Sequence, residues 1–282
     1  MRWTPGNRSN NIEDRRGSGG MRMAGAGIGG IVLVVLSLVF GVDLTGLGGG
    51  GGGDQPPPQA AGGEVVQETP EEKELADFVS YVLDDAQGTW AKVLPAAGAQ
   101  YRDAKLVLFR DVVQSACGTA QSATGPFYCP RDQKVYIDLG FYAALDRKLG
   151  AKGDFAQAYV LAHELGHHVQ HLLGTEQRVR QLSESRPGSA NQLSVRLELQ
   201  ADCYARVWAA SSNQRGNLSP GDIDEGLAAA AAVGDDRLQK MQQGTVSPES
   251  FTHGTSQQRA SWFRRGLESG RPESCDTFEG SL

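Results

Sequence analysis

The chain of 282 residues lacks a stripe of lysine and arginine, and this absence excludes one class of protein. Its net charge is −6. Residues 1–22 hold five arginines against one glutamate and one aspartate, a net +3, so the rest of the chain carries −9. A nucleic-acid-binding surface needs clustered positive charge to displace the counterions of the phosphates. We therefore expect no nucleic-acid partner.

Cysteine is also scarce, with four residues in the whole chain. None of them stands in a Cys-x-x-Cys pair, which argues against a cysteine-based zinc site. An even number of separated cysteines favours two disulfides formed in an oxidising compartment. Three pairings are possible, and we favour Cys117 with Cys129, which closes a short loop, and Cys203 with Cys275. Four buried free thiols are the alternative.

One long apolar run is present near the N-terminus. From Met23 to Val42 the chain has no charged residue, and a helix of that length, at about 1.5 Å per residue, spans roughly 30 Å of bilayer. We expect a retained transmembrane helix over residues 23–44, with a cleaved signal peptide as the alternative. The arginine-rich lead, residues 1–22, predicts a cytoplasmic N-terminus and an extracytoplasmic remainder, hence a single-pass membrane protein.

The rest of the chain divides into a linker and one domain. Residues 45–63 are rich in glycine and proline, which predicts a tether, so the folded domain is expected over residues 64–282. Apolar residues at helical spacing predict a first helix over residues 71–94. Strands are predicted at 105–113 and 134–139, and further helices at about 140–149, 154–173, 189–212, 221–241 and 256–268. A few strands among many helices predict an α+β fold.

The predicted helix 154–173 contains the sequence AHELGHHVQHL, with four of the five histidines. His163 and His167 are four residues apart and project from one helix face, so both imidazoles can reach one ion. Glu164 lies on the same side, close enough to address a water on that ion. This His-Glu-x-x-His arrangement is typical of zinc hydrolases. Gly166 costs about 1 kcal/mol relative to Ala, and it either permits close approach of another element or is simply tolerated.

Catalytic zinc needs a third protein ligand, and this helix does not supply one. A metzincin would have glycine at position 170 and histidine at 173, where the chain has Gln170 and Leu173. His168 points about 100° away from the ligand face, and His171 lies roughly 12 Å along the helix from the first histidine. We therefore interpret His168 and His171 as ordinary polar or partly exposed histidines.

A downstream segment, SVRLELQADCYARVW, offers the missing ligand. On this predicted helix Glu198 and Asp202 are four residues apart and share a face beside an apolar stripe. Buried acidic groups need a partner, and a metal with its histidines would supply one. We expect Glu198 to be the third ligand and Asp202 to accept the free N–H of a ligand histidine. Solvent-side ion pairs with Arg196 or Arg206 are the alternative.

These segments resemble a known family. HELGH followed by LELQAD is similar to the gluzincin pattern, and SACGTAQSATGPFYCPRDQKVYIDL, HELGHHVQ and ELQADCYARVWA closely resemble the putative neutral zinc metallopeptidase family of membrane-anchored bacterial proteins. The leading MRW and EDRRG also resemble that family, so the likeness covers nearly the whole chain except the tether. The resemblance implies one zinc ion and a compact, helix-rich, gluzincin-like zincin domain with a small β-sheet, preceded by one transmembrane helix.

The resemblance also draws attention to residues 252–259, THGTSQQR, where His253 is the only histidine outside the cluster. Similarity to gluzincins with a downstream histidine implies that His253 donates a hydrogen bond to the oxyanion of the reaction. It further implies that Arg259 braces an acidic neighbour. A lone histidine is more often structural, and that role remains the alternative.

The leading hypothesis is zinc-dependent hydrolysis of peptide bonds in a protein or peptide substrate. Zinc held by His163, His167 and Glu198 would activate a water, and Glu164 would carry that water's proton to the leaving amine. The strand at 134–139 could pair with an extended substrate. A catalytically inert, zinc-containing binding or scaffold domain of the cell envelope is the alternative from another class. Hydrolysis of a non-peptide amide is a third hypothesis.

Overall fold

The structure is a computed structural model that describes residues 1–17 and 66–280. Its helices are α1 (Pro70–Val93), α2 (Gly140–Leu149), α3 (Asp154–Leu173), α4 (Thr175–Ser185), α5 (Ala190–Gln214), α6 (Asp222–Ala232), α7 (Asp235–Gln243) and α8 (Ser256–Ser269). Its strands are β1 (Ile12–Asp14), β2 (Lys105–Phe109), β3 (Val112–Ser115), β4 (Gly118–Gln121), β5 (Phe127–Cys129) and β6 (Lys134–Asp138). The described part is a helix-rich α+β domain with a small sheet, as the sequence predicts.

The larger sheet has four strands in the order β1-β2-β6-β5. β1, β2 and β6 run parallel, with Ile12 opposite Leu106 and Leu106 opposite Val135. β5 runs antiparallel to β6 and forms the outer edge, with Tyr128 opposite Val135. β3 and β4 form a separate antiparallel hairpin. β6 is therefore an interior strand with both of its edges paired.

Local sequence signals explain where the two best-defined helices begin and end. Thr69 caps α1 by accepting from the Glu72 amide, and the Glu72 side chain accepts from the Thr69 amide in return. α3 ends at Gly174, whose φ of 75° is a left-handed conformation that glycine adopts without strain. The long α3 contacts α1, α5 and α6 together with strands β5 and β6, so it lies at the centre of the domain.

The main apolar core joins the sheet to the helices. Leu106 and Ile137 of the sheet pack in one buried cluster with Leu161 and Leu165 of α3. Burial of each large aliphatic side chain contributes about 1.5–3 kcal/mol relative to exposure, before entropy costs. The middle of α3 is thus held against the sheet, and the residues between these apolar positions are fixed with it.

Several predicted element boundaries were wrong. The predicted strand 105–113 is divided between β2 and β3, because Asp111 adopts a φ of 62° between them. The predicted helix 221–241 is two helices, broken at Gly234, where an added Cβ would lie 2.3 Å from the Ser256 backbone nitrogen. Four elements, β1, β4, β5 and α4, fall in segments for which no strand or helix was predicted. These breaks and additions depend on contacts between distant segments.

Both disulfides favoured from the sequence are present in the structure. Cys117 is bonded to Cys129 and Cys203 to Cys275, and the part of the chain that the structure describes contains no free cysteine. The first bridge ties the β3–β4 hairpin to the edge strand β5. The second ties α5 to the C-terminal segment, which follows α8.

The prediction of a single-pass membrane protein was wrong. Within residues 1–17 and 66–280, no helix combines the length and the apolar character that a bilayer crossing requires. β1 pairs with β2. If the chain crossed a bilayer once between β1 and β2, these two strands would lie on opposite sides of it and could not pair. The hydropathy of one run predicts a span, but the packing of residues 1–17 on residues 66–280 depends on contacts that hydropathy does not contain. That run, residues 23–44, and the predicted tether, residues 45–63, lie outside the described residues.

Candidate metal centre

The site is built where α3 and α5 approach most closely. A Cβ added at Gly166 would lie 2.9 Å from the Ala201 carbonyl oxygen, closer than real Cβ atoms come, and 3.1 Å from the Ala201 Cα. Glycine at this position therefore permits the contact, which was one of the two roles considered for it. The same contact brings the histidine face of α3 against Glu198, one turn before Ala201 on α5.

His163, His167 and Glu198 converge at this contact. The His163 Nε2 atom lies 3.2 Å from His167 Nε2 and 3.2 Å from Glu198 Oε2, and His167 Nε2 lies 3.5 Å from Glu198 Oε1. Tetrahedral zinc with bonds of about 2.0–2.1 Å sets its ligand atoms about 3.3 Å apart. Two imidazoles and one carboxylate are also a donor set that catalytic zinc sites use. The residues therefore fit a zinc ion in both spacing and chemistry.

Asp202 holds the first of these histidines from behind. Its Oδ1 accepts from His163 Nδ1 at 2.9 Å, so the free ring nitrogen is the one that faces Glu198. Arg259 binds the same carboxylate with two N–H groups, at 2.8 and 2.9 Å, and Tyr159 donates its hydroxyl to it. The structure thus places Asp202 against His163, and Arg259 against Asp202.

Neighbouring carboxylates raise the pKa of the His163 imidazole. Burial lowers the pKa of His163, but its hydrogen bonds to Asp202 and Glu198 outweigh this and raise the pKa to about 10. For Glu198, burial raises the pKa, but the charges of the nearby histidines lower it by more, so the net pKa lies well below its usual range. Because a ligand imidazole must be neutral, metal binding has to release the proton on His163.

Glu164 occupies a buried position beside His163 and His167. Burial raises the pKa of Glu164, and the positive charges of His163 and His167 offset only part of that shift. Tyr142 of α2 is also buried, and after burial the charge of Glu164 is a second cause of its raised pKa. The Tyr142 hydroxyl has no hydrogen-bond partner among the described residues. Glu164 is therefore a buried carboxyl group whose proton affinity is increased.

His253 is brought to the same site from the loop before α8. Asp235 fixes this loop, because one of its oxygens accepts from the backbone amides of Thr252, His253 and Gly254 at 2.6–3.0 Å. Its other oxygen lies 3.2 Å from His253 Nδ1. Burial lowers the pKa of His253, but the charge of Glu198 and the bond to Asp235 raise it overall. His253 is therefore within electrostatic reach of the proposed ligand.

Two other expectations about nearby residues need correction or refinement. The strand predicted to pair with substrate, residues 134–139, corresponds to β6, whose edges are already occupied by β2 and β5. His171 is half-exposed and pairs with Glu176 at 3.0 Å, in line with a bystander. His168 is completely buried and is therefore not a partly exposed histidine.

Sequence reasoning missed four residues around the site. Tyr159 is four residues before His163 on one helix face, so helical spacing could have identified it, and the same spacing argument applies to Gln170, three residues after His167. Tyr142 and Asp235 come from other elements, and no local pattern marks them. Only the packing of the chain brings those two residues to the site.

Comparison with known proteins agrees with this donor set. Residues 1–278 match one family model, described as "Putative neutral zinc metallopeptidase". The chain is 50% identical over 293 residues to the uncharacterized protein YpfJ of Escherichia coli K12, with all of both chains covered. It is 44% identical over 209 residues to the uncharacterized protein Rv2575 of Mycobacterium tuberculosis H37Rv, covering 70% of this chain and 69% of that one. No solved structure matches it. The chain belongs to the putative neutral zinc metallopeptidase family, which implies zinc as its metal.

Proposed function

We propose that this protein is a zinc-dependent endopeptidase, with a gluzincin-like catalytic domain that holds one zinc ion. The observation that carries the proposal is the convergence of His163, His167 and Glu198 at ligand spacing, with Glu164 buried on the same helix. A structural zinc site needs no such carboxyl group beside it. The presence of Glu164 therefore favours hydrolysis over a purely structural role.

Zinc, when bound by these three side chains, would lower the pKa of a ligand water toward 7 and polarise the carbonyl of a peptide bond. Glu164 is the general base in this scheme. It accepts the proton of the attacking water and delivers it to the nitrogen of the leaving amine. Burial raises the pKa of Glu164 from the ordinary carboxylate range, which brings the group closer to the working pH and suits both steps.

His253 supplies a hydrogen-bond donor for the negative charge that develops on the carbonyl oxygen. Burial lowers the pKa of His253, but the neighbouring carboxylates of Glu198 and Asp235 raise it overall, which stabilises the protonated ring that this role requires. Asp235 binds Nδ1 and leaves Nε2 free to donate. A preorganised donor at such a position typically accounts for a factor of about 10²–10³ in rate.

A protein or peptide substrate fits the sheet better at β5 than at β6. β5 forms the outer edge of the four-stranded sheet, and α3 contacts it. An extended peptide that adds to a sheet edge gains backbone hydrogen bonds without any requirement on its sequence. The substrate proposed here is therefore an extended segment of polypeptide.

The deciding experiment replaces Glu164 by glutamine in the full chain. The change keeps size and removes the base, so we expect zinc stoichiometry to stay at one and cleavage of an unstructured protein such as casein to fall by about 10²–10⁴-fold. Metal content by elemental analysis and cleavage by gel densitometry measure the two effects. Treatment of the wild-type protein with a zinc chelator should also abolish cleavage, and added zinc should restore it.

Glu184→Gln is the matched control. Glu184 is exposed on α4, and its replacement by glutamine removes the same charge as the replacement of Glu164. This variant should cleave at the wild-type rate. If Glu164→Gln also cleaves at the wild-type rate, the mechanism is wrong. A folded, zinc-loaded wild-type protein that cleaves no polypeptide would instead favour the inert binding domain.

A further inference from the structure

Gln170 is a buried amide that joins α3 to α5 behind His167. Its side chain is completely inaccessible to solvent. Its Oε1 lies 2.9 Å from His167 Nδ1, and its Nε2 lies 2.7 Å from the Leu197 carbonyl oxygen and 3.1 Å from Gln200 Oε1. All three distances are those of good hydrogen bonds. A buried amide with every near neighbour at bonding distance has one stable orientation.

That orientation fixes where the proton of His167 lies. The Leu197 carbonyl can only accept, so the amide atom facing it must be the NH₂ group, and the oxygen of Gln170 must face the imidazole. An amide oxygen also only accepts, so His167 has to carry a proton on Nδ1. In the neutral ring the lone pair is then on Nε2, the atom that lies 3.2 Å from His163 Nε2. The amide thereby selects the tautomer that can bind a metal through Nε2.

A second buried amide holds the first. Gln200 accepts from Gln170 through Oε1 and donates through Nε2 to the Cys275 carbonyl oxygen at 3.0 Å. Cys275 belongs to the C-terminal segment and is bonded to Cys203 of α5. The hydrogen bonds therefore run without interruption from His167 through two amides to a backbone group that a disulfide anchors.

The two ligand histidines have partners of different kinds. His163 is backed by the carboxylate of Asp202, whose charge Arg259 compensates. His167 is backed by a neutral amide. A neutral partner orients the ring without adding a second uncompensated negative charge behind a site that already contains Glu198.

We propose that Gln170 is the positioning residue for His167, fixing its tautomer and ring direction for the metal, and that Gln200, bonded to the Cys275 carbonyl, fixes Gln170. This inference rests on the zinc site of the proposed function but not on peptide cleavage. It concerns metal affinity, and a folded protein that binds zinc suffices to examine it.

The experiment measures zinc affinity of the full chain by competition with a fluorescent zinc chelator. Gln170→Met keeps the volume and removes all three hydrogen bonds, so zinc should bind about 10- to 100-fold more weakly. Gln200→Met leaves the bond between His167 and Gln170 intact, so its loss should be smaller. The double variant should bind zinc no worse than Gln170→Met alone, because Gln200 acts through Gln170.

Gln87→Met is the matched control. Gln87 is a buried glutamine of α1 whose Oε1 accepts from the Ala104 amide at 2.7 Å and from the Tyr101 hydroxyl at 3.3 Å, and its hydrogen bonds among the described residues do not involve His163 or His167. Its replacement should lower thermal stability and leave zinc affinity unchanged. Equal zinc affinities of Gln170→Met and wild type would overturn the inference, as would an equal loss in Gln87→Met.

Nuclear magnetic resonance of the zinc-loaded wild-type protein gives a readout that does not depend on any variant folding. Nitrogen shifts of the imidazoles should show His167 bound through Nε2, with an exchange-protected proton on Nδ1. Metal bonded to Nδ1 of His167 would overturn the inference. If zinc binds with the expected pattern of affinities but polypeptides are not cleaved, the proposed function fails and the role of Gln170 stands.

Discussion

His168 follows His167, one of the proposed ligands, directly, but its ring meets entirely different surroundings. Its Nδ1 accepts from the Tyr128 hydroxyl at 2.9 Å and its Nε2 donates to the Arg102 carbonyl at 2.6 Å. The neutral imidazole, with its proton on Nε2, satisfies both ring nitrogens. Burial lowers the pKa of His168 to about 4, although the bond to Arg102 opposes the shift. This histidine is a neutral connection between α3, β5 and the segment before β2.

His168 should therefore make stability depend on pH. Its pKa is about 6.5 in an unfolded chain and about 4 in the folded one, so between these values the unfolded state binds more protons. Its contribution is then fully present above pH 6.5 and is lost as the pH falls toward 4, by about 3 kcal/mol at most. Urea unfolding of zinc-free wild-type protein and of His168→Gln should give free-energy differences that shrink over this window. Parallel pH profiles of the two proteins would contradict the assignment.

The residues of the site were predictable to the extent that they lie on one helix face. The pair His163 and His167 follows from helical spacing, and the paired acids Glu198 and Asp202 follow from the same rule on a second helix. The burial of His168 does not follow, because it depends on β5, which the sequence did not indicate. Asp235 was missed for a similar reason, since its function depends on a loop that closes around it after folding.

At the scale of elements, the contact between α3 and α5 decides whether the ligands meet. Gly166→Ala should destabilise the fold by about 1–2 kcal/mol, because the added methyl overlaps the Ala201 backbone and outweighs the better helix propensity of alanine. It should also weaken zinc binding, since it separates the histidines from Glu198. Chemical unfolding and chelator competition measure the two effects.

Gly88 of α1 provides the opposite expectation for the same substitution. It lies on an exposed position of the helix, and an added Cβ would meet no atom within 4 Å. Gly88→Ala should therefore stabilise the protein by up to about 1 kcal/mol and leave zinc affinity unchanged. Stabilisation by both alanines would show that α3 and α5 are not in tight contact at Gly166.

Elements were predictable where one segment alone specifies them. α3 has an apolar face, an acidic first residue and a glycine after its last turn, and its predicted bounds match the structure. α4 is mostly polar, with Val179 as its only fully buried apolar side chain, so no periodic pattern marks it. The order of the strands also escaped prediction, because pairing of β6 with both β2 and β5 is a property of the folded chain.

For the whole molecule, the N-terminal segment is the main departure from the organisation expected from sequence. The lead, residues 1–22, was expected on the cytoplasmic side of a membrane, opposite the domain, but residues 1–17 pack on the domain. The Leu106 amide donates to the Asn11 carbonyl at 2.8 Å, and the Arg15 amide donates to the Leu108 carbonyl at 2.8 Å. The buried guanidinium of Arg16 pairs with Asp14 and Glu68. A buried cation with two carboxylate partners indicates an integral part of the fold.

Trp3 offers a test of this organisation in the full chain. Its ring meets Phe78 edge-on at 5.4 Å and lies 6.4 Å from the ring of Tyr81, both on α1. Trp3→Ala should lower the free energy of unfolding by about 1–3 kcal/mol, because a half-buried aromatic side chain is lost from the domain's own core. Arg2→Ala, at an exposed neighbouring position, should change it by less than about 0.5 kcal/mol. If residues 1–17 were separate from the domain, Trp3→Ala would leave the unfolding transition of the domain where it is in the wild type. The transition is monitored by circular dichroism in urea. A shift of that single transition means that the N-terminal segment unfolds together with α3 and α5.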